Sequence, residues 1–224
     1  MSQFTSWQKE YQQAQGIPTS TRNKPSSALG RFLEFAQKNQ LKLGRSVIDL
    51  GCGKGRNSLY LANLGFQVTA LDFIPSVLDE VKNKAKKQYT NLKVQTVKAD
   101  LSKSLPFSTG QFDWAIDIVS SVSLNLKEMK FFVSEVERVL KPKGIFLTYV
   151  HSRDDGYLGP RVDEAGFYQV PETGLMEHAW RKTELRQLYD EWQILTLDKI
   201  EKKDQFYGQT YTRRLWWLVA RSLS

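Results

Sequence analysis

The sequence predicts an open α/β sandwich built on a doubly wound, seven-stranded, mostly parallel sheet whose last strand runs antiparallel. Three observations carry this expectation. Short apolar runs alternate with helical periodicity from residue 46 to residue 150. Strands and helices that take turns in this way form βαβ units, whose right-handed crossovers cover both faces of a parallel sheet. The first apolar run closes on a glycine-rich turn, Gly51-Cys-Gly-Lys-Gly55, and the second closes on Asp72. Near its end the chain carries two strand-like runs joined by a short polar stretch, the pattern of a hairpin.

The elements follow in order along one domain. Residues 1–43 are read as N-terminal cover helices. A polar opening carries Trp7 and Tyr11, a turn-rich run spans Gly16 to Ser27, and Leu29, Phe32, Leu33 and Ala36 then recur at helical spacing behind the capping serines Ser26 and Ser27. Within residues 44–150 the strands are Ser46–Leu50, Phe66–Leu71, Leu92–Val97, Phe112–Val119 and Ile145–Val150. Helices are expected over Asn57–Leu64, Pro75 to about Gln88, and Lys127–Leu140, the first stopped by Gly65 and the last by Pro142 and Gly144. Residues 151–181 show no regular period, and a connection of this length is commonly functional. Residues 182–224 are read as a C-terminal helix and hairpin: a helix over Thr183–Tyr189, a strand over Gln193–Lys199, a charged turn at Glu201–Asp204 and a final strand over Arg214–Arg221.

Composition excludes several classes. The 224 residues are 41% hydrophobic and 12% aromatic, enough to fill a core, so disorder is not the main state. The longest apolar stretch, Leu215–Ala220, falls short of the ~20 residues of a membrane helix. The first residues lack the apolar run of a secretory signal, and a cytoplasmic location is expected. One cysteine and two histidines exclude an intrachain disulfide and a cysteine-cluster metal site, and no metal is expected. The formal net charge of +8 permits a nucleic-acid or acidic partner and equally describes a lysine-rich solvated surface.

The glycine turn and Asp72 point to a nucleoside ligand. In an open α/β sheet a ligand lies beyond the carboxyl ends of the strands, where the order reverses, and a glycine turn lets backbone approach it. Gly51, Gly53 and Gly55 are placed for that, and a carboxylate at Asp72 can accept from both hydroxyls of a ribose. Asp72 can also cap the helix that starts at Pro75. Arg56 stands where a dinucleotide fingerprint needs glycine, and no P-loop occurs. The expected ligand therefore carries an adenosyl ribose without a phosphate that needs a helix N-terminus.

Four motifs in order carry a family resemblance over about residues 44–220. Val47-Ile-Asp-Leu-Gly-Cys-Gly-Lys-Gly55 together with Asp72, then Ala99-Asp100-Leu101, Phe112-Asp-Trp-Ala-Ile-Asp117, and Val139-Leu-Lys-Pro-Lys-Gly-Ile-Phe146 resemble the motifs of the class I S-adenosylmethionine-dependent methyltransferases. Gly55-Arg-Asn-Ser-Leu-Tyr-Leu-Ala62 is similar to the tellurite-resistance and thiopurine branch, whose members modify small soft or exposed nucleophiles. The resemblance implies a Rossmann-like methyltransferase fold, with residues 44–150 as the cofactor-binding half and 151–181 as an acceptor-side insertion. It implies S-adenosylmethionine as cofactor and S-adenosylhomocysteine as product. The backbone of Gly51 and Gly53 would border the methionine portion, Asp49 would anchor it directly or through water, the backbone carbonyl of Asp117 would receive its ammonium, and Cys52, Gly55 and Asn57 would belong to the same cofactor site. Asp100 and Leu101 would meet the adenine, and Phe73 and Ile118 would flank it. Ile74 departs from the family, where many relatives carry a small hydroxyl residue.

The acceptor is expected to be a small molecule methylated at oxygen, nitrogen or sulfur. The stretch after the fourth strand, Asp117-Ile-Val-Ser-Ser-Val-Ser, lacks the proline and aromatic of nucleobase-amine methylases, and Cys52 lies inside the glycine turn rather than free for pyrimidine attack. Nucleic acid is thereby disfavoured. An RNA methyltransferase acting on tRNA or ribose, and a non-catalytic cofactor-binding regulator, stay as alternatives, and monomer and homodimer are both compatible. His151, Tyr157, His178, Trp180 and Arg181 are the acceptor-side candidates, with Tyr157 and His178 the candidates for catalysis. Trp180 can equally be a packing anchor and each histidine a surface residue.

Overall fold

The computed structural model describes residues 3–12, 22–88, 93–158 and 161–223. Residues 16–21 of the turn-rich run, Leu92 of the expected third strand, and Gly159 and Pro160 of the insertion lie outside the described residues. Helix α1 spans Gln3–Gln12 and α2 spans Ser27–Lys38, capped by the Ser26 hydroxyl, which accepts from the Ala28 amide. Then follow β1 (Ser46–Leu50), α3 (Arg56–Asn63), β2 (Gln67–Asp72), α4 (Pro75–Gln88), β3 (Val94–Lys98) and β4 (Phe112–Ile118). A single 3-10 turn at Ser121–Ser123 leads to α5 (Leu126–Val139) and β5 (Leu140–His151). The chain finishes with β6 (Phe167–Gln169), β7 (Met176–His178), α6 (Lys182–Leu188), β8 (Gln193–Phe206) and β9 (Gln209–Arg221).

The main sheet has the order β3-β2-β1-β4-β5-β9-β8. Strands β1 to β5 pair in parallel, and β9 enters antiparallel between β5 and β8, as the sequence predicts. Strand order reverses between β1 and β4, which opens a crevice at their carboxyl ends. Alternation along each strand splits the core in two. Ile48, Leu50 and Ala115 face α5, where Phe132 and Val136 pack, whereas Val47, Trp114 and Ile116 face α2 and α3 through Leu29, Phe32 and Leu61.

Two expectations need correcting. The charged stretch Glu201–Asp204 is not a turn. Strand β8 runs through it to Phe206, and the reversal falls at Tyr207 and Gly208. Both turn residues have positive φ, 48° and 79°, the geometry that a two-residue hairpin of matching twist requires. Asp204 is tolerated within the strand because Lys202 and Arg22 neutralise it. Residues 151–181 are likewise not an irregular connection. They hold the β6–β7 hairpin, and Tyr157, Leu158, Tyr168, Val170, Leu175 and Ala179 form an apolar cluster with Trp7 of α1 and Phe206 of β8. Among the described residues no helix is long and apolar enough to cross a membrane.

Candidate functional site

The crevice at the strand ends is a cleft with about 1500 Å³ of empty space. Its floor is the glycine turn after β1. Gly51 has φ +72°, and a Cβ there would stand 2.4 Å from Ser120 of the β4 end, so only glycine lets the two strand ends close up. The Gly51 and Cys52 amides both donate to the Leu71 carbonyl at 2.8 Å, which ties the turn to β2. Asp72 ends β2, accepts from the Gly53 amide at 2.9 Å and from the Ile74 amide at 2.9 Å, and lines the cleft. The carboxylate thus caps the chain ahead of α4 and also lines the cleft. Burial raises its pKa and the amides of Ile74 and Gly53 offset part of the rise.

Five predicted cofactor residues share the cleft wall: Gly51, Asp72, Phe73, Asp100 and Leu101. The Asp100 carboxylate also accepts from the Ser102 amide at 2.8 Å. Helix α1 lays Phe4, Trp7 and Tyr11 over the opposite side, where Phe4 meets Phe73 edge to face and Trp7 Nε1 donates to the Ser123 hydroxyl.

The other predicted cofactor residues stand beneath or beside the cleft. Gly55 is left-handed, and a Cβ there would meet Val81 of α4 at 2.5 Å, so helix packing demands it. The Asn57 side chain accepts from the Ser26 amide at 2.9 Å and so secures α2. Burial pushes the Cys52 thiol up, which leaves it a poor nucleophile. The Asp117 carboxylate is fully buried and accepts from Ser121 and, at 2.9 Å, from the Thr148 hydroxyl. Asp49 is buried under the turn with the Ser58 hydroxyl donating to it, and desolvation lifts its pKa to about 7.

A second, narrow cavity opens behind the cleft, and Val119 lines both. Val119 has φ +60°, a strained conformation for a β-branched residue of the kind that clusters at functional sites. Ile118, His151 and Tyr157 line this inner cavity, as do Tyr149, Glu177, Lys202 and Arg213. Arg213 lies against Asp155 at 2.8 Å, and its other end donates to His151 Nδ1 at 3.1 Å. Since a guanidinium only donates, Nδ1 carries no proton, and Nε2–H donates to Glu177 at 3.2 Å. His151 therefore orients Glu177 instead of offering a free base. The Tyr157 hydroxyl donates to Glu172 at 3.1 Å.

His178, Trp180 and Arg181 are not brought to this cavity. His178 and Trp180 line a separate groove with Lys127, Lys130 and Glu184, their rings 4.2 Å apart. Desolvation lowers the His178 pKa. Trp180 is buried in the core beside Leu185 and accepts at its carbonyl from Trp216 Nε1, so it is a packing anchor. Arg181 is exposed and caps α6 through Glu184. What sequence reasoning missed is the inward face of the β8–β9 hairpin. Lys202, Asp204 and Phe206 alternate on one strand and Arg213 and Leu215 on the other, a period-2 signal that the expected turn obscured.

Known methyltransferases resemble this chain in sequence and in fold. Residues 47–144 match the family described as methyltransferase domain. Over 192 residues the chain is 30% identical to an uncharacterized methyltransferase of Synechocystis, covering 84% of this chain and 85% of that one. It is 26% identical over 167 residues to the probable S-adenosyl-L-methionine-dependent methyltransferase TehB of Haemophilus influenzae, covering 71% of this chain and 51% of the relative, so it spans about half of that protein. The fold matches a SAM-dependent methyltransferase from Methanosarcina mazei with a TM-score of 0.71 at 24% identity, over 84% of this chain and 96% of that one.

Proposed function

The chain belongs to the class I S-adenosylmethionine-dependent methyltransferases, and from that membership we propose that it passes the methyl group to oxygen, nitrogen or sulfur of a small molecule seated in the inner cavity. The observation that carries the small acceptor is the junction at Val119. There the nucleoside cleft meets a narrow cavity walled by the insertion and the hairpin tip, and a folded polymer does not fit behind it. The cleft residues fit the cofactor, since a carboxylate closes β2, a second carboxylate stands at Asp100, and a glycine cradle leaves backbone exposed between them.

In this reading Asp72 accepts from the ribose hydroxyls, Asp100 and the Leu101 backbone meet the adenine, and Phe73 flanks it. Gly51 borders the methionine portion, Asp49 attracts its cationic end from below, and the Asp117 carbonyl receives the ammonium. The bound cofactor supplies a methyl group on an electrophilic sulfonium. The protein's own work is then to hold the acceptor in line and keep water out. Tyr157 and the apolar side chains Ile118, Val170 and Leu175 do so from the cavity wall.

Two measurements test the reading. Asp72→Ala is expected to weaken S-adenosylmethionine binding by about 2 kcal/mol, the scale of lost charge-assisted hydrogen bonds, and calorimetry on the folded variant reads it. Incubation with labelled cofactor and fractions of cell extract should yield S-adenosylhomocysteine with the low-mass fraction. Turnover with RNA alone would defeat the small-molecule reading.

Asp49 adds a pH signature. Its raised pKa means that, between the ordinary carboxylate value of 3.8 and about 7, the folded protein holds a proton the unfolded chain has lost. Stability of the free protein contributed by this group therefore falls as pH rises through that window. A cation seated above Asp49 favours its ionised form, so cofactor binding should release a proton at about pH 6 and little at about pH 8. Calorimetry in two buffers of different ionisation heat detects the release, and identical heats at the lower pH would remove Asp49 from the cofactor site.

A further inference from the structure

Cations cluster at the hairpin end of the inner cavity, where Arg56, Lys202 and Arg213 line the wall. Asp204 is buried and serves two cations at once, Lys202 at 3.0 Å and Arg22. Arg56, from the first turn of α3, lines the same cavity and has no hydrogen bond or ion pair among the described residues. Residues 13–21, which precede Arg22, contain no Asp or Glu. Arg213 is matched by its own Asp155. Burial lowers the pKa of Arg56 and of Lys202, and nearby guanidinium groups add to it, Arg22 for Arg56 and Arg213 for Lys202. Asp49 and Asp204 act on Arg56 only from beyond contact distance, and a half-buried guanidinium that no carboxylate touches among the described residues gains when an anion joins it.

The tyrosines around the cavity show what is missing. Three of them donate to carboxylates: Tyr168 to Glu177, Tyr157 to Glu172 at 3.1 Å, and Tyr207 to Glu10 at 2.7 Å. The fourth, Tyr149, is 2% exposed, and its buried hydroxyl has no partner among the described residues. Its ring lies 5.8 Å from Lys202 Nζ, on the cationic side. Burial keeps this phenol protonated, so it has a hydrogen to donate. We propose that the acceptor carries a carboxylate, received by the Tyr149 hydroxyl, Lys202 and Arg56, with the rest of the molecule along Tyr157, Phe206 and Leu215. This rests on the methyl-transfer reading above and names the class of its substrate as an acidic small molecule.

Benzoate and its uncharged counterpart benzamide are the probes, each titrated into protein saturated with S-adenosylhomocysteine. Benzoate should bind about tenfold or more tightly than benzamide, and the preference should shrink to about threefold or less in Tyr149→Phe and in Lys202→Met, the scale of a lost charge-assisted hydrogen bond. S-adenosylhomocysteine affinity should stay unchanged in both. Because the Tyr149 hydroxyl has no partner among the described residues, Tyr149→Phe should melt no lower than the wild type, which separates recognition from structure. Equal or absent binding of the two probes, or an undiminished preference in both variants, overturns the proposal. So does benzoate that displaces S-adenosylhomocysteine but not methylthioadenosine, which would assign the cations to the cofactor's own carboxylate. Failure of S-adenosylhomocysteine itself to bind would instead defeat the methyl-transfer reading.

Discussion

Asp155→Ala is expected to destabilise the protein by about 4 kcal/mol, the range for removing one partner of a buried ion pair, and to lower the melting temperature by about 10 °C. Asp155 is 1% exposed and accepts from Arg213 Nε at 2.8 Å, from the Arg214 amide at 2.8 Å and from the Tyr157 amide at 2.9 Å. One carboxylate thus fastens the insertion to β9. Its loss strands the Arg213 guanidinium, itself buried, and frees the contact that fixes His151 and through it Glu177. The double variant Asp155→Ala with Arg213→Met should recover part of the loss, because the stranded charge is gone. Denaturant unfolding of the single and double variants checks both statements. A single-variant loss below about 1 kcal/mol would mean that solvent reaches this pair.

Gly51→Ala should all but eliminate cofactor binding, by about a hundredfold or more, and should also destabilise the fold by about 3 kcal/mol. The added methyl group would demand a left-handed conformation of a residue with Cβ and would collide with Ser120, whose hydroxyl donates to the Gly51 carbonyl at 2.9 Å. Relief requires the ends of β1 and β4 to part, which deforms the cleft floor. Gly65→Ala is the control. Gly65 is also left-handed, at φ +93°, but a Cβ there meets nothing within 4 Å. It should cost about 1 kcal/mol and leave binding intact. Calorimetry on both variants separates backbone strain from the collision, and wild-type affinity in Gly51→Ala would show that the turn does not border the ligand.

Legible in the amino-acid sequence were the α/β class, the succession of the first five strands along the chain, and Gly51, Asp72, Phe73, Asp100 and Leu101, which line the cleft. Those features are local. Apolar periodicity sets each element, a glycine turn and an acidic residue mark strand ends, and right-handed crossovers leave few ways to assemble them. Only the tertiary structure decided the inner cavity. Tyr149, His151, Glu177, Lys202 and Arg213 come from β5, β7 and the β8–β9 hairpin, and no short window contains more than two of them. Lys202 and Asp204 read locally as solvated turn residues because charge normally seeks water. They enter a strand because they pair with each other, because Arg22, distant along the chain, adds a second cation to Asp204, and because β9 pairs with their backbone, which together offset their desolvation. His178, next to Glu177 on β7, went to another groove for a simpler reason: successive side chains of a strand point to opposite faces.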